Sequence, residues 1–582
     1  MVVADTMTVV TPTLDPSLPR RYADFDTLVD AVEYAAQGKR GANFFNAKGD
    51  LIEALPWSKV RDQAVIVGRK LVGMGFKKGD RIAVIAETSA NFVSFFVGCQ
   101  YASVLPVPLP LPTSFGGRDG YVAQLEKQIE SCGANGIMAP VFMAEMIEQA
   151  SADKDMVFSG CYEDYIASDA DGDHVLPSPD DLAYLQYSSG STRFPHGVAV
   201  THKSLLANTH GMSKYGVGMI DTDRCVSCLP FYHDMGLVGT LMSTMTAQCS
   251  VDLIPTEEFA RRPLSWLRVI SATKGTITFG PTFGYDICTR RAAMRGKAME
   301  GLDLSSLRVA GIGAEMIRPE VMRAFTETFA PIGFDEKALM PSYGLAECTL
   351  GVSFAKTSNG IDIDLVEESV LTGEKHSVLS GEDEGRMREV VNCGTPLPEY
   401  DVEFRNEDEQ PLADGKVGKL YLRGVSVMRE YFNDPETTRS VLSEDGWLDT
   451  GDMGYMKNGD IYIVGRAKDM IIVNGKNHWP QDIEWAAEQH EALKTGDVAA
   501  ISVPGANAEE VPLILVQCRI SDPLLRVKLV DELKKKIQSS TGVTCMIELV
   551  SPRALPRTSS GKLSRTKARA KYLSGNLQAI AS

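Results

Sequence analysis

The chain has 582 residues, which at about 150 residues per domain corresponds to three or four domain-sized units. Apolar residues make up 44% and charged residues 23%, as in an ordinary globular chain, and the net charge is −17. This acidic balance argues against a general nucleic-acid-binding protein, because such proteins neutralise phosphates with lysine and arginine.

The beginning of the chain shows no targeting pattern. Its first basic residue is Arg20, whereas signal and transit peptides need basic residues near their start. The longest uncharged run, Thr88–Gly117, contains Asn91 and four prolines between Pro106 and Pro112. It cannot form a continuous spanning helix, so we expect a buried helix that runs into a proline-bounded strand and no integral membrane association.

The region from about residue 20 to 350 alternates strand-like and helix-like segments. Trp57–Met74 and Tyr121–Ser131 are amphipathic. This alternation predicts parallel sheets covered by helices. The strand-like runs are Arg81–Ala86, Ala183–Tyr187, Ser250–Pro255, Thr276–Phe279 and Leu307–Gly311.

The pattern of apolar residues and turn signals changes after about residue 390. Short alternating runs with turn signals, such as Tyr400–Phe404 and Gly418–Leu422, predict a smaller, antiparallel, barrel-like part up to about residue 465. A compact α+β tail is expected beyond it, with a helix over Leu524–Gln538. The apolar stripe of this helix is predicted to consist of Leu525, Leu529, Leu533 and Ile537.

Eleven cysteines are scattered along the chain, and Cys225 and Cys228 form the one close pair. A second cysteine pair and a downstream histidine pair are both missing, so we expect buried thiols on a strand rather than a zinc or redox site. Reduced thiols in a long chain are typical of the cytoplasm, which is the location we expect.

The sharpest local feature is a loop rich in hydroxyl groups, Tyr187-Ser-Ser-Gly-Ser-Thr-Arg-Phe-Pro-His-Gly197, which follows a predicted strand. Such a loop can direct backbone N–H groups and hydroxyls towards a phosphate. It lacks the Lys-Ser/Thr pair of the nucleotide-binding loop of kinases and NTPases, which excludes that mechanism. By itself the loop is equally compatible with an ordinary serine-rich turn.

Four further motifs follow in order, and they decide between these interpretations. They are Tyr343-Gly-Leu-Ala-Glu347, Trp447-Leu-Asp-Thr-Gly-Asp452, the segment Gly465–Gly475 and Pro556-Arg-Thr-Ser-Ser-Gly-Lys562. The ordered set resembles the adenylate-forming superfamily of acyl-CoA synthetases, peptide-synthetase adenylation domains and luciferases, and the resemblance covers Tyr22 to Leu573.

Within that superfamily the chain is most similar to a bacterial fatty acyl-AMP ligase. The hydroxyl-rich loop reads Ser-Thr-Arg-Phe-Pro-His-Gly where acyl-CoA ligases usually read Ser-Thr-Gly-x-Pro-Lys-Gly, and Leu229–Leu237 contains a His-Asp-Met-Gly signature. The long polar stretch Lys356–Glu389 resembles the insertion of that subfamily.

The resemblance implies an α/β fold in which a large domain precedes a mobile one. The large N-terminal domain is expected to contain two parallel αβ-layered subdomains and a small β-barrel, and the C-terminal domain is expected to be α+β. The implied boundaries are a tail at 1–20, a large adenylation domain at 21–467 with an insertion at 356–389, and a small domain at 468–582.

The resemblance also assigns nucleotide-binding roles. Asp452 matches the acid that binds both ribose hydroxyls, for which two acceptor oxygens are suitable, and Arg466 matches a second ribose contact. The alternatives are a turn aspartate and a surface arginine. The complete predicted nucleotide set is Ser188, Ser189, Ser191, Thr192, Gly313, Ala314, Glu315, Ser342, Tyr343, Gly344, Ala346, Asp452, Ile463 and Arg466.

Three residues receive catalytic roles by resemblance. Glu347 matches a ligand of Mg²⁺, a hard ion that is held by one or two carboxylates together with phosphates and water. Lys562 matches the lysine that bridges the attacking carboxylate and the α-phosphate, two anions that repel each other. His233 matches a residue near the reacting carboxylate, with a hydrogen-bonded histidine at a strand end as its alternative.

An apolar pocket and a hinge complete the implied site. His233, Phe279, Thr282 and Phe283 are expected to line the acyl pocket, although Phe279–Tyr285 is equally compatible with core packing. Lys468 matches the hinge about which the small domain rotates between two catalytic poses.

The sequence therefore predicts an enzyme that uses ATP and Mg²⁺ to convert a fatty acid into acyl-AMP. It would then transfer the acyl group to the phosphopantetheine thiol of an acyl carrier protein or a synthase carrier domain. The alternatives are a fatty acyl-CoA ligase, a catalytically silent adenylate-binding regulator and, less well supported, a peptide-synthetase adenylation domain.

Two charge patterns carry further hypotheses. Eight acidic residues lie between Asp362 and Glu384, so this part of the insertion buries little by itself and could restrain domain rotation; the alternative is a tolerated surface loop. From Leu549 to Ser582 there are seven basic residues and no acidic one. That strip could attract an acidic carrier protein, or it could be a solvated helix face.

Overall fold

The structure of the chain is a computed structural model, and it describes residues 18–112, 117–188, 195–294, 299–371, 386–473, 476–505, 510–558, 561–577 and 579–580. The helices are α1 (Leu28–Ala35), α2 (Trp57–Met74), α3 (Ala90–Tyr101), α4 (Gly117–Cys132), α5 (Ala144–Ser151), α6 (Tyr162–Ala167), α7 (His202–His210), α8 (Ser243–Thr246), α9 (Thr256–Arg261), α10 (Leu264–Thr273), α11 (Thr282–Met294), α12 (Pro319–Phe329), α13 (Glu368–Leu371), α14 (Pro435–Val441), α15 (Pro480–Glu488), α16 (Pro523–Thr541) and α17 (Arg565–Leu573).

The strands are β1 (Gly41–Phe45), β2 (Leu51–Pro56), β3 (Arg81–Ile85), β4 (Leu105–Leu109), β5 (Gly136–Met138), β6 (Phe158–Gly160), β7 (Leu182–Tyr187), β8 (Gly197–Thr201), β9 (Arg224–Ser227), β10 (Ser250–Leu253), β11 (Ile277–Gly280), β12 (Val309–Ile312), β13 (Leu339–Gly344), β14 (Gly351–Phe354), β15 (Ile363–Glu367), β16 (Met387–Val391), β17 (Thr395–Pro396), β18 (Tyr400–Arg405), β19 (Gly418–Gly424), β20 (Leu448–Lys457), β21 (Asp460–Arg466), β22 (Ile471–Val473), β23 (Lys476–His478), β24 (Val498–Pro504), β25 (Glu510–Gln517) and β26 (Met546–Val550).

Two parallel sheets form the large N-terminal domain. One runs in the order β17-β14-β13-β12-β11-β9-β10-β1-β2 and is parallel from β13 to β1. The other runs β4-β3-β5-β6 and is parallel throughout. These sheets confirm the predicted α/β fold class. Its physical cause is the alternation of buried strands with amphipathic helices, which leads to parallel sheets covered by helices.

Helix α2 shows how the sequence produces these layers. Its residues Trp57, Val60, Ala64, Val67 and Leu71 are fully buried at helical spacing, and the helix packs against α3. It ends where Gly75 adopts a φ of 100°, a left-handed conformation in which glycine is favoured. The bounds of α2 are those predicted from its hydrophobic periodicity.

The segment predicted to be barrel-like forms an antiparallel sheet in the order β18-β19-β20-β21. The C-terminal domain is built on β24-β25-β26, where β24 and β25 are antiparallel and β25 and β26 are parallel. Helix α16 covers this sheet with Leu529, Leu533 and Ile537. The prediction that Leu525 belongs to the same stripe is wrong: it lies in the first turn and is 51% exposed.

The thiols occupy the positions that the sequence predicts. Cys225 lies on β9, Cys228 follows it, and both are buried. The eleven cysteines all fall in the described part of the chain and are free. Among the helices that the structure describes, none is long and apolar enough to cross a membrane.

Candidate active site

Four neighbouring parallel strands, β9, β11, β12 and β13, end at the same edge of the main sheet. In sheets of this kind the crevice beyond the carboxyl ends of the strands is where ligands bind. The predicted site residues follow from this arrangement, since His233 comes after β9, Phe279 lies on β11, Glu315 follows β12, and Tyr343 lies on β13.

The predicted adenine segments come together at this edge. A Cβ atom on Gly313 would lie 3.0 Å from the Oγ of Ser342, so glycine permits the close approach of the two segments. Ala314 adopts a φ of 69°, which is uncommon for a residue with a side chain and marks a tight backbone turn. Ala314, Ser342, Tyr343 and Gly344 line both the central cavity and the adjacent cleft.

Asp452 is held from two sides. It is directly paired with Arg466 in the register of β20 and β21, and Arg466 Nε donates to its Oδ1 at 3.0 Å. The Tyr343 hydroxyl donates to Oδ2 at 2.6 Å. The charge of Asp452 raises the pKa of Arg466 above its usual value, so the arginine stays charged. Because a carboxylate has about four acceptor positions, Asp452 can accept further hydrogen bonds.

Glu347 lies in the short helical turn Ala346–Cys348 after β13. The Tyr431 hydroxyl donates to its Oε1 at 2.7 Å, and Glu347 lines the central cavity together with Ala346. One carboxylate with an oxygen facing a cavity is a donor that Mg²⁺ accepts when phosphates and water complete its shell. The residues present therefore fit a magnesium ion.

Lys562 reaches the site from the C-terminal domain and lines both the central cavity and the cleft. Burial lowers the pKa of its ammonium group, while the nearby carboxylates of Asp234 and Glu315 act in the opposite direction. Its loop turns at Gly561, which has a φ of 86°. The Lys562 side chain thus places a cation where carboxylates converge.

His233 and Asp234 form a pair at the mouth of the apolar pocket. The His233 Nδ1 atom lies 2.6 Å from Asp234 Oδ1, and both side chains are largely buried. Burial would raise the pKa of Asp234, but His233 and Lys562 outweigh it and hold this pKa below its usual value. Asp234 is therefore a carboxylate in the site.

The central cavity extends from the predicted nucleotide segments into an apolar pocket. Two stretches of π-helix, Gly211–Gly216 and Met235–Met242, border it, and such helices are frequent at functional sites. The apolar lining consists mainly of Met212, Val217, Met219, Ile277, Phe279, Leu350 and Phe354.

The predicted acyl-pocket residues separate in the structure. His233 and Phe279 line the central cavity. Thr282 and Phe283 instead line the cleft between the two domains, where the Phe283 backbone N–H donates to Glu315 Oε1 at 2.8 Å. Both residues lie at the start of α11 and are absent from the lining of the central cavity, so the structure places them at the cleft rather than in the apolar pocket.

Six other predicted positions remain, and three of them lie in the described part of the chain. Ser188 is buried and lines the central cavity. Its N–H donates to the His196 carbonyl at 2.9 Å. Ile463 lines the cleft, and Lys468 lies in a short helical turn, Ala467–Asp469, before β22. Ser189, Ser191 and Thr192 fall outside the described residues.

Helix α15 of the C-terminal domain contacts the large domain. Arg318 Nη1 lies 2.7 Å from Glu488 Oε2, and Arg388 Nε lies 3.0 Å from Asp482 Oδ1. The guanidinium carbons of the same two arginines lie 5.4 and 5.8 Å from the ring of Trp485. These contacts hold the C-terminal domain where Lys562 enters the site.

Sequence reasoning did not single out Asp234 and Tyr431. Asp234 stood within the quoted His-Asp-Met-Gly signature, and its proximity to His233 was available as a signal. Tyr431 gave no such signal, because 84 residues separate it from Glu347. Their contact exists only because β13 and the segment after β19 meet in the fold.

Comparison with known proteins places this geometry in a family. A protein-family model described as AMP-binding enzyme matches residues 32–432. A Caulobacter vibrioides protein, named only provisionally as an acyl-CoA synthetase, is 43% identical over 97% of this chain and 98% of its own. The long-chain-fatty-acid–AMP ligase FadD32 of Mycolicibacterium smegmatis is 31% identical, with 96% of each chain covered.

Two further matches are informative. The medium-chain-fatty-acid–[acyl-carrier-protein] ligase JamA of Moorena producens is 30% identical over 95% of this chain and 96% of its own. A solved structure from studies of fatty acyl-adenylate ligases from E. coli and L. pneumophila matches with a TM-score of 0.91 and 42% identity. The match covers 96% of this chain and 100% of that one.

Proposed function

We propose that this chain, which belongs to the AMP-binding enzyme family, is a fatty acyl-AMP ligase like its relatives. It would transfer the activated acyl group to the phosphopantetheine thiol of an acyl carrier protein. In the first step a carboxylate oxygen of the fatty acid attacks the α-phosphorus of ATP. The bond to the bridging oxygen breaks, and pyrophosphate leaves. In the second step the thiol sulfur attacks the acyl carbonyl carbon, a thioester forms, AMP leaves, and the thiol proton passes to solvent.

The observation that supports the adenylation step is the position of Lys562. It lies where the apolar pocket meets the nucleotide segments, so its cation faces the point at which a fatty carboxylate and an α-phosphate would meet. A cation between two repelling anions lowers the barrier electrostatically and orients their approach. His233 would border the reacting carboxylate, and Phe279 would contact the acyl chain.

The nucleotide roles follow from the contacts of the other residues. Asp452, fixed by Tyr343 and Arg466, would accept hydrogen bonds from the ribose hydroxyls. Gly313–Glu315 and Ser342–Gly344 would enclose the adenine. Glu347 would hold the magnesium ion, which when bound neutralises charge on the phosphates.

The second step needs the small domain to move, and we assign the hinge to Lys468. In the described part of the insertion, the Leu371 carbonyl accepts a hydrogen bond from Trp479 Nε1 at 3.1 Å, and Arg388 pairs with Asp482. These contacts join the insertion to the C-terminal domain. They would favour the adenylating pose and oppose rotation of the small domain, since a few kcal/mol shift a two-state equilibrium strongly. Free coenzyme A would then rarely meet the rotated pose, whereas a carrier protein that binds the small domain could stabilise it.

A fatty acyl-CoA ligase is the second candidate, because a relative that is 43% identical carries that provisional name. The two functions differ in the thiol acceptor and share the adenylation step. Eleven free thiols support a reducing compartment such as the cytoplasm in either case.

The deciding experiment is incubation with Mg-ATP, a ladder of fatty acids, coenzyme A and a pantetheinylated carrier protein, with products identified by mass. We expect acyl-AMP and acyl-carrier without acyl-CoA. Abundant acyl-CoA would exclude the proposed acceptor. Absence of pyrophosphate exchange with every fatty acid would instead identify a catalytically silent adenylate-binding protein.

A separate experiment tests whether the insertion restrains rotation of the C-terminal domain. Arg388→Gln breaks the contact with Asp482, and Arg423→Gln, which removes an exposed ion pair with Asp401, serves as the matched control. We expect acyl-CoA formation to increase for Arg388→Gln and to stay at the wild-type level for the control. Unchanged acyl-CoA in both, with adenylation intact, would exclude restraint by this contact.

A further inference from the structure

The segment from Met428 to Asp434 connects the hydroxyl-rich loop with Glu347. The Met428 N–H donates to the Glu347 carbonyl at 2.7 Å, and the Phe432 N–H donates to the Gly197 carbonyl at 2.7 Å. Between them the Ala199 N–H donates to the Glu430 carbonyl at 3.0 Å, so the segment extends β8 by backbone pairing. The end of the loop and the turn that carries Glu347 are therefore held by one piece of chain.

Tyr431 lies at the centre of this segment and is 7% exposed. Its hydroxyl donates to Glu347 Oε1 at 2.7 Å. A phenol carries its proton near neutral pH and a carboxylate can only accept, so Tyr431 is the donor in this contact. This hydrogen bond occupies one oxygen of Glu347 and fixes the direction in which the other oxygen faces.

The Tyr431 ring is held in place by His196, and His196 is in turn held by Asp434. The His196 ring packs on the Tyr431 ring with centroids 5.0 Å apart. His196 Nδ1 lies 3.0 Å from Asp434 Oδ2, and the Oδ1 atom of Asp434 accepts from the Thr437 N–H, capping α14. The contacts form a continuous chain from the helix cap through His196 and Tyr431 to Glu347.

We propose that Tyr431, supported by His196 and Asp434, is a positioning residue that orients Glu347 towards the metal and triphosphate of bound ATP. This inference rests on the proposed role of Glu347. Carboxylates that hold metals are commonly fixed by hydrogen bonds from outer residues, and loss of such a partner typically weakens metal binding about 10- to 100-fold. AMP lacks the β- and γ-phosphates, so its binding should not depend on Tyr431.

The test compares Tyr431→Phe with Tyr455→Phe. The Tyr455 hydroxyl donates to Asp364 Oδ2 at 2.8 Å, and Tyr455 is also buried, but it does not line the central cavity. Calorimetry would measure the affinities of the full chain for Mg-ATP and for AMP. We expect Mg-ATP to bind about 10-fold more weakly to Tyr431→Phe, with AMP affinity unchanged and with both affinities unchanged for Tyr455→Phe.

A second variant tests the supporting contact. His196→Ala removes the ring that packs on Tyr431. We expect a loss of Mg-ATP affinity that is smaller than in Tyr431→Phe, again without an effect on AMP. Unchanged Mg-ATP affinity in Tyr431→Phe, or an equal loss for Mg-ATP and AMP, would overturn the proposal. These binding measurements need no fatty acid or acceptor, so failure of the proposed function in the product assay remains distinguishable from failure of this inference.

Discussion

At the scale of single residues, Lys562 distinguishes binding from catalysis. Its ammonium group feels the nearby carboxylates of Asp234 and Glu315, and it would stabilise the transition state more than it stabilises bound ATP. We expect Lys562→Ala to lower the rate of fatty acid adenylation by about 10²- to 10³-fold and to leave ATP affinity within a few-fold.

Pyrophosphate exchange and calorimetry measure the two quantities for Lys562→Ala. Lys567→Ala, five residues along the chain and outside the cavity lining, is the matched control. Near-normal exchange in Lys562→Ala would refute the catalytic role.

For Asp452 we expect the main effect on nucleotide affinity rather than on the adenylation rate, because the proposed ribose contact forms before any reaction. A hydrogen bond to an ionised acceptor contributes about 1.5–3 kcal/mol, so Asp452→Ala should lose tens-fold in ATP affinity. Calorimetry with AMP should show a similar loss, since the ribose is common to both ligands. Unchanged affinity for both nucleotides would exclude the ribose contact.

At the scale of elements, the two ends of α16 differ in burial. Leu533 is fully buried against the C-terminal sheet, whereas Leu525 is 51% exposed. Leu533→Ala should destabilise the domain by about 2–5 kcal/mol, and Leu525→Ala should change stability by less than about 0.5 kcal/mol. Denaturant unfolding measures both, and equal effects would contradict the assignment of the buried face.

Helix α15 contributes a pH-dependent contact. Burial raises the pKa of Glu488 from 4.5 to about 7, and the residue pairs with Arg318 across the domains. The folded protein therefore retains this proton after the unfolded chain has lost it. The contribution of Glu488 to stability is greatest at low pH, falls as the pH rises from 4.5 to about 7, and is constant above that value.

Glu488→Gln should remove this part of the pH dependence, because glutamine stays neutral. Thermal midpoints measured at about pH 5 and pH 8 should differ less for the variant than for the wild type. Glu532→Gln, at a partly exposed residue of α16, is the control. The same difference in wild type and Glu488→Gln would show that this acid does not titrate in the interface.

At the scale of the whole molecule, the distribution of charge is uneven. The chain carries −17, yet seven basic residues and no acidic one lie between Leu549 and Ser582. The structure divides the four that lie on α17 into two groups. Arg565 is engaged with Glu484 and Asp469 inside the C-terminal domain, whereas Arg569 and Lys571 are exposed on α17 and Lys567 is half-buried there.

A carrier protein with an acidic surface would be attracted to that face of α17. Reversal of Lys567, Arg569 and Lys571 to glutamate should slow acyl transfer about 10-fold at low salt and leave adenylation unchanged. The matched control reverses Lys534, Lys535 and Lys536 on α16, which changes the net charge equally. Equal slowing by both triple variants would attribute the effect to net charge rather than docking at α17.

The sequence by itself determined the order of the elements and the class of the site. Periodicity placed α2 at Trp57–Met74, and the ordered motifs indicated an adenylate-forming enzyme, because local spacing controls both helix formation and the loops that meet a nucleotide. The roles predicted for Asp452 and Lys562 came from the resemblance of their motifs to those of the superfamily, which was visible because each motif is contiguous in the chain.

Only the tertiary structure decided which distant residues meet. The contact of Tyr431 with Glu347, the place of Thr282 and Phe283 at the domain interface and the engagement of Arg565 all depend on packing between segments far apart in sequence. Leu525 satisfied the periodicity of α16 and is nevertheless exposed. The physical reason is that periodicity specifies the face on which a side chain lies, whereas burial and partners depend on what the rest of the chain brings against that face.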